Sequence, residues 1–160
     1  MGLTEKLRAI RDAEKQKSED IGLLKQQWQE AVDKVLNETK NWFSEYLELG
    51  LFKAIEDKKT IHEELLGDYV VNTIEYEISQ YRLVFEPVGR IILGSWGRID
   101  VYFRGHKTDK YILVLLGESF ENAKWQIAPF QDRTKRKDFT KENIESIIET
   151  WLDQQKAMAL

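Results

Sequence analysis

The chain has 160 residues, 42% hydrophobic and 32% charged, with net charge −4, no cysteine, two prolines and two histidines. That length specifies one domain, able to bury roughly 70% of the surface its unfolded chain exposes, and five tryptophans, six tyrosines and seven phenylalanines are too large an apolar load for a disordered chain. The missing cysteine excludes disulfides, thiolate zinc sites and cysteine nucleophiles.

No apolar run approaches the ~20 residues of a membrane-spanning helix. The start, Met1-Gly2-Leu3-Thr4-Glu5-Lys6, has neither the apolar stretch of a secretory signal nor a myristoylation motif. A cytoplasmic protein without membrane attachment is expected. Charge is uneven along it: residues 1–80 carry 11 Lys and Arg against 17 Asp and Glu, and residues 82–137 carry 11 against 6. Such asymmetry marks either an anionic-partner face or ordinary surface decoration.

Residues 1–49 contain no proline, and their apolar residues recur every seven positions. Leu7, Ile21, Trp28, Val35, Trp42 and Leu49 form one series, broken by Glu14. Leu3, Ile10, Leu24 and Ala31 form its companion, with Lys17, Glu38 and Glu45 as exceptions. This is a coiled-coil-like stripe with imperfect seams. From Trp28 it broadens to take in Val32, Leu36, Phe43, Tyr46 and Leu47, a face wide enough to pack on a globular body. One helix, or two broken within 18–22, is therefore expected to end at Leu49. Gly50 would close it in the left-handed conformation, with Leu51 folding back toward Tyr46. Residues 1–49 form the helical segment, its second half belonging to the core and its first half free to project. Residues 50–160 form the α+β remainder of a single folding unit.

Residues 51–66 fit neither period, and Asp57-Lys58-Lys59 suggests a turn. After Gly67 the period becomes two: Ile74, Tyr76 and Ile78, then Tyr81, Leu83 and Phe85, joined at Ser79-Gln80 as a hairpin. Further strands are expected at 90–93, 98–104, 110–116 and 124–127, with Gly94-Ser95-Trp96-Gly97 as a bulge or tight turn. The apolar run at 110–116 suits a central strand covered on both faces. Thr140 is a helix N-cap, Phe139 and Ile144 form a hydrophobic staple, and Ile144, Ile147, Ile148, Trp151 and Leu152 share one face. Trp151 is expected to be buried against the sheet, with one partner for its indole N–H. The expected fold is α+β: a long N-terminal helix, an antiparallel meander of about five strands, and a C-terminal helix packed on the sheet.

Chemistry is sparse. His62-Glu63-Glu64-Leu65-Leu66 begins like a zinc motif but has Leu where the second histidine belongs. His106 sits in a polar turn. Gly89, Gly94 and Gly97 do not make a dinucleotide loop. Asp100 lacks acidic neighbours on the following strand, so it reads as a surface carboxylate paired with Arg98 or Arg104 rather than as a metal ligand. Glu63-Glu64 and the Glu75, Glu77 pair read as solvated. No catalytic residue, cofactor or metal site is assigned.

Two interaction surfaces remain. Leu3, Leu7, Ile10, Ile21 and Leu24 form a helix stripe suited to self-association or a protein partner. Arg98, Tyr102 and Arg104 on one sheet face, with Arg82, Lys110 and Lys124 beside them and Arg133, Lys135, Arg136 and Lys137 in a loop, form an alternative nucleic-acid surface, since phosphates need charge and bases a stacking plane. The expected function is a non-enzymatic interaction or accessory subunit assembling through its N-terminal helix, with the nucleic-acid module as alternative.

Overall fold

The computed structural model describes residues 2–92 and 94–158. Helix α1 (Leu3–Trp42) and the short α2 (Ser44–Glu48) precede strands β1 (Phe52–Glu63), β2 (Gly67–Ile78), β3 (Tyr81–Gly89), β4 (Arg98–Phe103), β5 (Tyr111–Leu116), β6 (Lys124–Pro129) and β7 (Lys137–Asp138), and helix α3 (Lys141–Met158) closes the chain. The strands pair antiparallel in chain order, β1 to β7, as one meander. The fold is thus the expected α+β arrangement, with seven strands rather than about five.

The helical segment runs unbroken through Gly22 and is interrupted only at Phe43. Its end closes as the glycine predicts. Gly50 takes φ 71°, the Leu51 amide donates to the Tyr46 carbonyl at 2.9 Å and the Gly50 amide to that of Leu47 at 3.2 Å, the two bonds of a Schellman closure. The Leu51 side chain itself stays exposed.

Residues 51–66 are the main correction. They form β1, an edge strand, with Asp57-Lys58-Lys59 in mid-strand opposite Thr73, Asn72 and Val71. No single alternation is visible because the inward side changes along the hairpin. On β2 both Tyr69 and Val71 and, with opposite parity, Ile74, Tyr76 and Ile78 are buried, so the changeover falls at Asn72-Thr73. Charges on an exposed edge also discourage pairing with foreign strands.

Residues 90–92 do not form the strand expected over 90–93. Only a single bridge, Ile92 to Ser95, remains, and Leu93 lies outside the described residues. The cause is Glu63, whose carboxylate accepts hydrogen bonds from the amides of Arg90 at 3.2 Å and Ile91 at 2.8 Å. These donors are spent on a side chain instead of a ladder.

Both helices cover one face of the sheet. Trp28, Val32 and Val35 from α1, Phe43 at its C-terminal end, and Ile144 and Ile148 from α3 share a core with Phe85, Ile99, Val101 and Leu113. Gly97 makes the seat of α1 possible: a Cβ there would stand 2.8 Å from ring carbons of the fully buried Trp28. The buried Thr39 hydroxyl bonds the Leu36 carbonyl at 2.7 Å and the Tyr76 hydroxyl at 2.6 Å, so this mid-helix polar group is satisfied.

α3 starts where its cap predicts. The Thr140 hydroxyl accepts from the Asn143 amide at 3.1 Å, and Phe139 and Ile144 are both in the core. Trp151 departs from expectation: it is only partly buried. It stacks flat on Phe103, with centroids 3.6 Å apart and planes at 6°, and meets Tyr81 and His106 edge-on. Tyr81 begins β3 and Phe103 ends β4, so the indole sits at the rim of the layer, where no further strand residue covers it.

Candidate functional site

The face of the sheet away from the helices carries the basic residues singled out in the sequence. Strand alternation directs Ile99, Val101 and Phe103 into the core and sends Arg98, Asp100, Tyr102 and Arg104 to the other side. Three carboxylates organise this face. Asp100 is buried, not a surface group, and takes Arg98 Nε at 2.8 Å and Lys110 Nζ at 3.1 Å. Glu86 accepts Lys59 Nζ at 3.2 Å, Lys107 Nζ at 3.5 Å and the Tyr102 hydroxyl at 3.1 Å. Glu75 pairs with Arg104 and, at 3.4 Å, with Arg82.

The titration of these groups follows from that wiring. Partial burial pushes the Glu86 carboxyl up, but the hydrogen bonds from Lys59 and Tyr102 and the charges of Lys59 and Lys107 win and hold it below its ordinary value. Burial and the neighbouring Glu86 charge push the Tyr102 phenol up to about 12. Arg98, Tyr102 and Arg104 are therefore gathered on one face as predicted, but each is already bonded to a carboxylate. Each of the three carboxylates is shared by two cations, so the face keeps a positive excess, but its guanidinium and ammonium groups are already engaged.

Arg133, Lys135 and Arg136 occupy the exposed turn between β6 and β7, and the exposed Lys137 begins β7. Phe130 beside them has Lys110, Arg98 and Arg133 over its ring at 4.5, 5.2 and 5.7 Å, cation–π contacts that tie the loop to the Asp100 group. Lys124 stands opposite Leu116 at the far end of β6, apart from this cluster.

Two arrangements lay beyond sequence reasoning. Glu63, which reads as solvated, also accepts a hydrogen bond from the Tyr69 hydroxyl and so clamps the β1–β2 hairpin to the loop after β3. Arg90 is buried with its guanidinium over the rings of Phe120 at 4.7 Å and Trp96 at 5.3 Å. Burial lowers its pKa from the ordinary arginine value, against the opposing charge of Glu63. A carboxylate 27 positions from the amide it binds leaves no local sequence signal. Among the described residues no group of three or more His, Cys, Asp or Glu side chains is placed to hold a metal ion, and no helix is long and apolar enough to cross a membrane.

The N-terminal stripe divides in two. Residues 2–20 are exposed throughout, a free helix of about 27 Å at 1.5 Å per residue. Leu3, Leu7 and Ile10 are 72, 55 and 54% exposed. Ile21 and Leu24 instead pack partly against the protein's own core. They are the point where α1 leaves the body, not part of a free surface. A cleft of about 610 Å³ runs alongside the docked half, between Ala31, Val35 and Glu38 on α1 and Phe120, Lys124 and Trp125 on the sheet side.

No protein family, curated protein or solved structure matches this chain.

Proposed function

We propose that the protein is a non-enzymatic interaction subunit whose docking element is the free half of α1. One observation carries this reading: a helix whose first 18 residues are all exposed, with Leu3, Leu7 and Ile10 at i, i+4 and i+7. That is the anchor spacing by which a helix enters an apolar partner surface. Isolated helices of such length are marginal in water, and exposed leucines in series disfavour a solvated end state. The helix is held ready by its continuity with the docked half, so binding adds little ordering cost.

The test is sedimentation of the full chain over a wide concentration range beside a Leu3→Gln/Leu7→Gln/Ile10→Gln variant. The wild type should gain mass with concentration, and the variant should remain monomeric with an unchanged melting temperature. A full chain that stays monomeric throughout, or a variant that assembles equally well, contradicts the reading.

Nucleic-acid binding is the weaker alternative. Its support is the positive excess of the sheet face and, above all, Arg133, Lys135, Arg136 and Lys137, which have no carboxylate partner within salt-bridge distance among the described residues. Four phosphate contacts of that kind would give a weak, steeply salt-dependent affinity.

A further inference from the structure

We infer that the occupant of the free stripe is a second copy of this chain, bound antiparallel, with Leu7 of each helix opposite Ile10 of the other. The inference rests on the assembly reading above and adds partner, direction and register. It follows from where the body sits and where the charges fall.

The stripe that is free at Leu3, Leu7 and Ile10 is the one that turns onto the sheet from Ile21 through Trp28 to Val35. A seven-residue repeat drifts only about 20° per heptad on a straight helix, so both lengths face the same side. Each body therefore lies on the side where a partner helix must lie. Two parallel helices would bring both bodies into one space beyond residue 20. Two antiparallel helices place them at opposite ends.

Charge points the same way. In a parallel, in-register pair Glu14 would face Glu14 and Lys17 would face Lys17. Lys6 would also flank Arg11 of the other helix, by the usual contacts between g and e positions. An antiparallel pair puts a-series residues opposite d-series residues, and three registers bring the stripes together. One aligns Glu14 with Lys17 but requires Leu3 to reach Trp28, which is fully buried in its own core. A second sets Glu14 against Ile10 and Lys17 against Leu7, burying four charges on apolar groups. The third sets Leu7 against Ile10 twice and Leu3 against Glu14 at the two rims. In it Thr4 flanks Arg11 and Lys6 flanks Ala13, with no like charges adjacent. Its overlap ends near residue 15, clear of both bodies. Of the three, this register alone stays clear of both bodies and confines its charged stripe positions, the two Glu14 side chains, to the open rims.

Three apolar side chains per helix form an interface below the ~1,200–2,000 Å² of stable complexes, so the dimer is weak and concentration-dependent. The chain has no cysteine, which makes Ser18→Cys, outside the overlap, a clean site for a single nitroxide label. In the antiparallel register the two labels lie about 30 Å apart, from 19 residues of axial offset at 1.5 Å each and about 9 Å between axes. Pulsed electron–electron distance measurement on the full chain, at concentrations where sedimentation shows dimer, should give that distance, and Leu7→Gln should abolish it. A distance near 10–15 Å, or none defined, in a dimer still lost on Leu7→Gln overturns the register and leaves assembly through the helix standing. A chain that never dimerises overturns both.

Discussion

Between residues 3 and 20 α1 is exposed throughout, whereas between Trp28 and Thr39 it contributes five buried side chains. Both lengths repeat every seven residues, and both are rich in strong helix formers. They differ in width: the docked half adds Val32 and Leu36 beside Trp28 and Val35, and the free half has one narrow row. A narrow row fits another helix, and a broad one fits a sheet. The same contrast appears in the two glycines near these lengths. Gly22 has nothing within 4 Å of where a Cβ would be, while a Cβ on Gly97 would overlap the Trp28 ring.

The most damaging break should come in the docked half. Trp28→Ala removes a fully buried indole packed 6.0 Å from Trp125 and should cost about 3–5 kcal/mol in denaturant unfolding. Gly97→Ala approaches the same ring from the sheet side and should cost about 1–3 kcal/mol by overpacking. Neither is expected to alter the free half, so a circular-dichroism signal lost in step with the whole fold would show that α1 unfolds as one unit. Gly22→Ala should raise stability by about 0.5–1 kcal/mol, because alanine is the better helix former and the site is open. If it destabilised, residue 22 would have a neighbour that the free-helix account denies.

Much of this was legible in the sequence. The seven-residue repeat located α1, the Gly50 closure located its end, and Thr140 located the start of α3, because each is set by near neighbours. Period two found β2 and β3 for the same reason. The failures share a cause in long-range contacts. β1 carries Asp57-Lys58-Lys59 on an edge, and its inward side switches where β2 does, so no local pattern survives. Arg90 and Ile91 give their amides to Glu63, a side chain far upstream, so their own sequence does not show that the expected strand is missing. Asp100 is buried beneath Arg98 and Lys110, which converge on it from β4 and from the turn before β5. Of the interface stripe, Leu3, Leu7 and Ile10 emerge free, while Ile21 and Leu24 belong to the body. The broadening from Trp28 marks the docked half, but the repeat does not show that the body already reaches Ile21 and Leu24.

Amide hydrogen exchange along α1, followed at low and high protein concentration, tests the central claim most directly. Exchange at residues 28–39 should be slow and independent of concentration, because their protection comes from the fold itself. Exchange at residues 3–15 should be fast in dilute solution and slow markedly as concentration rises, with Leu3→Gln/Leu7→Gln/Ile10→Gln removing the dependence. Equal and rapid exchange at residues 3–15 at every concentration would contradict assembly through the free half of the helix.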